Sequence, residues 1–200
     1  MKQNVAILLF DEVEVLDFAG PFEVFAVTDE LRGYETFNVF TVAAEKRPIR
    51  ARNGLSVNPG YEFADILLPD SGLTPQVLIV PGGFGTRALL KHTYTLDWIR
   101  ATAASADIVM SVCTGSLVLA KAGLLDGLRA TTHHECFGFL RKLAPRTEVV
   151  EHERFVDNGK ILTAAGISAG IDCSLHVVER LLGAAVATKT ARYMEYQPAP

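Results

Sequence analysis

Cys113 is the residue of this sequence best placed to do chemistry. It directly follows the apolar, β-branched run of residues 108–112, which predicts a buried parallel strand. A Thr-Gly-Ser segment comes next, and then a helical pattern that begins at Leu117 and ends at Gly123. A cysteine between strand and helix lies in a sharp turn at the carboxyl edge of the sheet, where open α/β folds bind ligands. The pattern is the cysteine counterpart of a nucleophile elbow, although cysteine is also a common small core residue.

Asp17 is the second candidate, because it lies a few residues past the predicted first strand and just before Gly20-Pro21. A carboxyl group near Cys113 can act as general base or acid. The alternative is an ordinary helix cap. The helix after Cys113 favours the thiolate, whereas a neighbouring carboxylate opposes it, so the charge of the resting sulfur stays open.

Two further segments add candidates at the same edge. Gly82 and Gly83 follow the third predicted strand and leave backbone N–H groups free to face developing negative charge. Pro-Gly-Gly also marks any tight turn. His133 follows the strand-like Ala-Thr-Thr and is either an acid or base for the cysteine or a hydrogen-bonded structural residue.

Composition excludes several classes of protein. The 200 residues carry a net charge of −4, and basic clusters are small, which argues against a nucleic-acid partner. The apolar N-terminal run breaks off at Asp11-Glu12, too short for a signal peptide or a membrane span. Three cysteines without paired spacing predict reduced thiols, a cytoplasmic protein and no metal site. We expect no cofactor.

The order of elements predicts an α/β fold with a mostly parallel sheet covered by helices on both faces. No linker divides the chain, so we expect one domain over residues 1–200. Predicted strands cover residues 5–10, 37–44, 77–80, 108–112, 130–133, 149–156 and 161–165, with a hairpin around Asn53-Gly54 inside an excursion at 46–62. Predicted helices cover residues 20–31, 96–106, 117–122, 135–143, 168–182 (capped by Ser168) and 184–193, before a loose tail from Gln197.

The sequence resembles the DJ-1/PfpI (ThiJ) superfamily over almost its whole length. The matching segments, in order, are Asp17-Phe-Ala-Gly-Pro-Phe-Glu-Val-Phe, Val80-Pro-Gly-Gly-Phe-Gly, Ser111-Val-Cys-Thr-Gly-Ser, Ala130-Thr-Thr-His and Ala165-Gly-Ile-Ser-Ala-Gly-Ile-Asp. The resemblance implies a flavodoxin-like fold of the class I glutamine-amidotransferase-like type. It also implies that Cys113 is the nucleophile, that the Gly82 and Gly83 amides stabilise an oxyanion, and that Asp17 is the acidic residue.

Within the superfamily the sequence looks most like the isonitrile hydratase branch, which has Asp in the first loop and Thr directly after the Cys, as Asp17 and Thr114 here. Peptidase-like members place His at that second position, and DJ-1 itself typically has Glu and Ala at the two positions. The resemblance therefore implies water addition to an isonitrile by Cys113, Asp17 and Thr114. Phe84 is expected beside the substrate's apolar group, and His133 as possible support.

Two other functions stay open. One is a cofactor-independent glyoxalase or deglycase acting on 2-oxoaldehydes, in which His133 becomes important. The other is a ligand-sensing or redox-sensing module, since similar domains begin AraC-type regulators. The chain ends at Pro200 without a helix-turn-helix segment, which we take to speak against a complete regulator. The expected partners are a small-molecule substrate and, by resemblance, a second copy in a homodimer, with neither nucleic acid nor membrane.

Overall fold

The computed structural model describes residues 2–68 and 70–198. The strands are β1 (Gln3–Leu8), β2 (Phe37–Ala43), β3 (Ile49–Arg50), β4 (Ser56–Val57), β5 (Tyr61–Glu62), β6 (Val77–Val80), β7 (Ile108–Val112), β8 (Arg129–Ala130), β9 (Glu148–Val149), β10 (Phe155–Asp157) and β11 (Ile161–Ala164). The α-helices are α1 (Val15–Glu30), α2 (Phe63–Leu67), α3 (Thr86–Leu89), α4 (Thr93–Ser105), α5 (Gly115–Lys121), α6 (Phe137–Leu143), α7 (Ala169–Leu182) and α8 (Ala184–Tyr193).

The central sheet has the strand order β10-β11-β7-β6-β1-β2-β5 and is parallel except for β10, which runs antiparallel to β11. Helices α1, α7 and α8 contact one another, and α5 contacts α3, α4 and α6. This is the mostly parallel, helix-covered, flavodoxin-like sheet that the sequence predicts. The apolar strands β6 and β7 are buried at every position, as expected for the centre of such a sheet.

The register brings several strand ends together. Val80 of β6 pairs with Ser111 of β7, and Val112 pairs with Ala164 of β11. Because the paired strands are parallel, the loops after β6, β7 and β11 leave the sheet at one edge. This edge carries the predicted glycines and Cys113.

Helix α1 begins five residues before the predicted start at Gly20. The Glu14 amide donates to the Gly82 carbonyl at 2.9 Å, and Val13 forms an isolated bridge with Gly83. These contacts end the loop at Glu14 and let the helix start at Val15. Asp17 therefore lies in the first helical turn and not in a loop. Pro21 lies inside the helix, where it removes only the hydrogen bond that would go to the Asp17 carbonyl.

Several boundaries also differ from the sequence predictions. Helix α4 starts three residues before Leu96, and the predicted strand 149–156 is divided between β9 and β10 in different sheets. The predicted strand at 130–133 is the short β8, paired with β9. The Ser168 side chain does not cap α7, because its hydroxyl accepts a hydrogen bond from Arg154. In the predicted tail, residues 199–200 lie outside the described residues.

The 46–62 excursion contains the predicted hairpin. Strands β3 and β4 pair antiparallel, and the turn between them is a short 3-10 segment, Arg52–Gly54. Asn53 and Gly54 both have positive φ, of +58° and +88°, as such a tight turn requires. Within the described ranges, none of the helices combines the length and the apolar character needed to cross a lipid bilayer.

Candidate active site

Cys113 has a strained backbone in the sharp turn between β7 and α5. Its φ is +55°, in the left-handed region that cysteine rarely adopts. Its amide donates to the carbonyls of Ala164 and Ala165, and its carbonyl accepts from the hydroxyls of Ser116 and Thr132, at 2.9–3.1 Å. These four hydrogen bonds hold the conformation in place at the sharp turn from β7 into α5.

Gly115 allows the elbow to pack against the neighbouring strand. A Cβ atom at this position would lie 2.0 Å from the Val80 carbonyl oxygen. Any side chain there would push α5 away from the end of β6. The glycine is therefore required for the close approach of the elbow to the loop that carries Gly82 and Gly83.

Asp17 is completely buried, with 0% of its surface exposed, and lies at this edge of the sheet. Its Oδ2 atom accepts a hydrogen bond from the Gly82 amide at 2.9 Å. Burial raises the pKa of Asp17 to about 7; the Gly82 amide and the Cys113 thiol oppose that rise, and the charge of Glu14 adds to it. The thiol lies near enough to the carboxyl group to lower its pKa, whereas Oδ1 has no hydrogen-bond partner among the described residues.

The Cys113 thiol is protonated in the resting site at neutral pH. Only 6% of the residue is exposed. Burial and, next, the negative charge of Asp17 raise its pKa to about 12, although the backbone N–H groups of Thr114 and Ile167 act in the opposite direction. The effect of the helix N-terminus is thus outweighed. At neutral pH the reaction therefore starts from a Cys113 thiol beside an Asp17 carboxyl group that is near its titration midpoint.

The Gly82 and Gly83 amides are not free, contrary to the sequence prediction of an open oxyanion site. The Gly82 N–H is bound to Asp17, and the Gly83 N–H donates to Thr114 Oγ1 at 2.9 Å. A Cβ at position 82 would lie within 2.8 Å of both Thr114 and Asp17 atoms. The Gly82 and Gly83 amides therefore position the side chains of Asp17 and Thr114, which lie 65 and 31 residues away in the sequence.

Thr114 belongs to a small hydroxyl cluster. Its Oγ1 lies 3.1 Å from the Gly83 carbonyl, to which it can donate. Thr86, which is fully buried, donates to the same carbonyl at 2.8 Å and lies 3.3 Å from Thr114 Oγ1. When Thr86 satisfies the carbonyl, the Thr114 hydroxyl proton is free to point elsewhere.

Phe84 is 58% exposed, and cations lie over its ring. The Arg87 guanidinium is 4.6 Å from the ring centroid and that of Arg52 is 5.9 Å away. These are cation–π distances. The structure therefore places Phe84 on the surface, directly after Gly83, with one apolar face already used by arginine.

His133 packs on the loop after β11. Its Nδ1 accepts a hydrogen bond from the Glu135 amide at 3.3 Å, and its ring lies so close to Gly166 that a Cβ there would be 2.7 Å from Cδ2. Burial and the neighbouring His134 lower its pKa, so the imidazole is neutral at pH 7. Gly166 precedes Ile167, whose amide faces the Cys113 sulfur. His133 therefore supports the loop beside the thiol.

Sequence reasoning missed four contributors to the site. Glu14 acts on the pKa of both Asp17 and His133, and Thr86 orders the hydroxyl cluster. Ile167 supplies a backbone N–H to the thiol from a residue with φ of +46°, and Cys136 raises the pKa of Cys113. The available signals were the three-residue spacing of Glu14 and Asp17 and the position of Ile167 inside the segment Ala165-Gly-Ile-Ser-Ala-Gly-Ile-Asp. Among the described residues, no group of three or more His, Cys, Asp or Glu side chains is placed to hold a metal ion.

Known proteins are similar to this chain in both sequence and fold. The model of the DJ-1/PfpI family matches residues 3–180. The chain belongs to the DJ-1/PfpI family. It is 38% identical, over 200 residues, to a Pseudomonas putida protein named isonitrile hydratase, and the match covers 100% of this chain and 81% of the relative.

A solved structure and a transcriptional regulator are also similar to this chain. A crystal structure of a ThiJ/PfpI family protein from Pseudomonas syringae has a TM-score of 0.85 and 30% identity, covering 100% of this chain and 77% of that chain. The chain is also 26% identical, over 98% of its length, to the HTH-type transcriptional regulator GbdR of Pseudomonas aeruginosa. It spans only 51% of that regulator.

Proposed function

We propose that this chain is an isonitrile hydratase, a carbon–oxygen hydro-lyase that adds water to an isonitrile and releases an N-substituted formamide. The observation that carries the proposal is the Cys113 thiol held against the buried carboxyl group of Asp17. The similarity to the Pseudomonas putida isonitrile hydratase along the whole chain supports the same reaction.

The first step joins the thiol to the isonitrile carbon. Asp17, as carboxylate, accepts the thiol proton while sulfur forms a bond to the carbon. The proton then passes from Asp17 to that same carbon. One S–C bond and one C–H bond have formed, giving a thioimidate on Cys113. An acid with a pKa of about 7 suits this transfer, because it takes and returns a proton at neutral pH with little cost.

The second step releases the product. A water oxygen bonds to the thioimidate carbon while Asp17 removes one water proton and passes it to the nitrogen. The hydroxyl proton then moves through Asp17 to sulfur as the C–S bond breaks. A formamide and the original thiol result, so the atoms of one isonitrile and one water are all accounted for.

The neighbouring groups have positioning roles in this scheme. Gly82 fixes Asp17, and Gly83 fixes Thr114, through hydrogen bonds of 2.9 Å each. Thr114 donates its hydroxyl or its backbone N–H to the substrate or the attacking water. Phe84 offers an apolar surface at the entrance for the substrate's side chain.

The test is a panel of alkyl isonitriles, with N-substituted formamide followed by mass spectrometry. Wild type is expected to form formamide and Cys113→Ala to form none. Cys173→Ala is the matched control, because it removes another buried thiol, on α7, and should retain activity. No formamide from any isonitrile, or equal rates for wild type and Cys113→Ala, would refute the proposal.

A ligand-sensing role is the second candidate, favoured by the similarity to the regulator GbdR. It predicts saturable binding of a small molecule without turnover. The 2-oxoaldehyde reaction predicts instead that His133→Ala abolishes turnover, whereas isonitrile hydration needs His133 only to support the 166–167 loop.

The homodimer and the cytoplasmic location stay predictions. Light scattering on the purified chain distinguishes a mass of about twice 21.7 kDa from the monomer. The surfaces that we expect to take part are the C-terminal helix pair and the 46–62 excursion.

A further inference from the structure

A cavity of about 280 Å³ lies beside the carboxyl ends of β1 and β2. Its floor comes from residues 8–11 and 43–45, and its walls from the 46–62 excursion, α2, α3 and the start of α4. Cys113, Asp17 and Thr114 are not among its lining residues. Its volume is just below the range of about 300–1,000 Å³ common for ligand sites, which fits a small molecule. The edge at which it lies is the usual ligand-binding edge of such sheets.

The interior of this cavity is apolar. Its lining includes the side chains of Leu8, Leu9, Ile49, Phe63 and Leu89. Each of these residues is at most 8% exposed. A fully hydrated ion gains nothing from such a surface, whereas a short alkyl or aryl group gains about 25 cal/mol for each Å² removed from water. The occupant therefore needs an apolar body.

The rim of the cavity is charged. Arg47 lies between two carboxylates, 2.7 Å from Asp11 and 3.5 Å from Glu45. The Arg47 guanidinium also lowers the pKa of Asp11, so this carboxyl group is ionised at neutral pH. One guanidinium shared by two carboxylates leaves a net charge of about −1 at the rim. An incoming anion would have to compete with both carboxylates for the same arginine.

Aromatic rings strengthen the preference for a cation. Tyr94, which is 49% exposed, lines the cavity, whereas the ring of Phe63 is buried and stacked on Trp98, with centroids 4.1 Å apart. Ring faces attract ammonium groups, most strongly where water is partly excluded. The charge of the rim and the exposed ring of Tyr94 therefore favour the same kind of head group.

We propose that this cavity is a second small-molecule site, separate from Cys113, which binds a small organic ammonium ion with the apolar body in the pocket and the charged head at the Asp11–Glu45 rim. The site needs no turnover at Cys113. Its test is therefore independent of the proposed isonitrile hydration, and either can fail alone.

The test is a titration with phenethylammonium, followed by calorimetry and ligand-observed NMR at low ionic strength. Phenethyl alcohol and hydrocinnamate are the neutral and anionic probes of similar size. Wild type is expected to bind the ammonium at least fivefold more tightly than either. No binding of phenethylammonium, or equal binding of the three probes, would overturn the proposal.

Variants locate the bound probe. Ala88→Trp, at an exposed cavity-lining position on α3, should fill the space and abolish binding, with its fold checked by circular dichroism. Glu45→Gln should weaken ammonium binding about threefold, since an exposed charge contributes about 0.2–1 kcal/mol. Glu35→Gln, an exposed site outside the cavity, and Cys113→Ala should bind as wild type does. Binding retained by a folded Ala88→Trp, or lost in Cys113→Ala, would contradict the proposed location.

Discussion

The Asp17 carboxylate and the Gly82 amide lie 2.9 Å apart, although 65 residues separate them in the sequence. This hydrogen bond connects the first turn of α1 to the loop after β6. It places a buried carboxyl group against the Cys113 thiol on the adjacent strand end. The pKa of each member of the pair follows from that arrangement, and so does the way in which a proton can move between them.

The rate of isonitrile hydration should depend on the protonation of Asp17. Because burial raises its pKa to about 7, the carboxylate that accepts the thiol proton disappears below that pH. We expect kcat/KM to rise about tenfold per pH unit up to about pH 7 and then to stay level, since the Cys113 pKa is about 12. Asp17→Asn should lower kcat/KM at least 100-fold, in line with the usual range for acid–base groups. A rate that falls as the pH rises through 7 would instead assign the active form to the neutral acid.

The same pKa predicts a pH-dependent gain in stability for Asp17→Asn. Burial raises the pKa of Asp17 from 3.8 to about 7, so the native state favours the neutral carboxyl group more than the unfolded state does. The stability that this gives is fully present below pH 3.8 and is lost as the pH rises through 7. Because asparagine stays neutral, the free energy of unfolding of the variant should rise relative to that of wild type between pH 4 and pH 8. The upper bound is about 4 kcal/mol, at about 1.4 kcal/mol per pKa unit. Urea unfolding of both proteins across this range measures the difference, and a difference independent of pH would contradict the burial argument.

Thr86 should act on catalysis through Thr114. Its hydroxyl donates to the Gly83 carbonyl at 2.8 Å, and the Thr114 hydroxyl lies 3.1 Å from the same oxygen; we infer that Thr86 allows Thr114 to turn its proton to the substrate. In Thr86→Val, Thr114 becomes the donor to that carbonyl, and we expect kcat to fall about tenfold with little change in KM, the scale of one buried hydrogen bond. Thr86→Ser keeps the hydroxyl and should retain most of the activity. Equal losses in both variants would indicate a packing role only.

Gly115 and Gly138 form a matched pair for a stability test. A Cβ at Gly115 would lie 2.0 Å from the Val80 carbonyl oxygen, whereas one at Gly138 in α6 meets nothing within 4 Å. Gly138→Ala should stabilise the fold by about 0.5–1 kcal/mol through helix propensity. Gly115→Ala should destabilise it and displace the elbow, so the free energies of unfolding should change in opposite directions. A neutral Gly115→Ala would contradict the close packing of α5 against β6.

The sequence correctly predicted the strands and helices whose ends are determined by neighbouring residues in the chain. Strands β6 and β7 match their predicted bounds, since each is a short apolar run between polar or turn residues. The last helix, α8, also matches, because Gly183 with φ of +92° separates it from α7. The position of Cys113 in the turn between β7 and α5 followed from the same local pattern. Local signals suffice where no distant residue decides the boundary.

The rest depended on contacts between segments that are far apart in the sequence. The start of α1 is set by the Glu14–Gly82 hydrogen bond and not by Gly20-Pro21. Whether the Gly82 and Gly83 amides are free depends on where Asp17 and Thr114 lie, which spacing along the chain does not reveal. The thiol pKa was undecided because helix and carboxylate act in opposite directions, and burial decides it.

The most direct test of the account is to mix the protein with an alkyl isonitrile, quench it rapidly in acid, and measure the intact protein and the product by mass spectrometry. Wild type should gain the mass of one isonitrile, located on the peptide that contains Cys113, and this adduct should precede the formamide. Cys113→Ala should show neither adduct nor formamide. Formamide that accumulates while the protein keeps its unmodified mass, in wild type and in Cys113→Ala alike, would contradict the central role of this thiol.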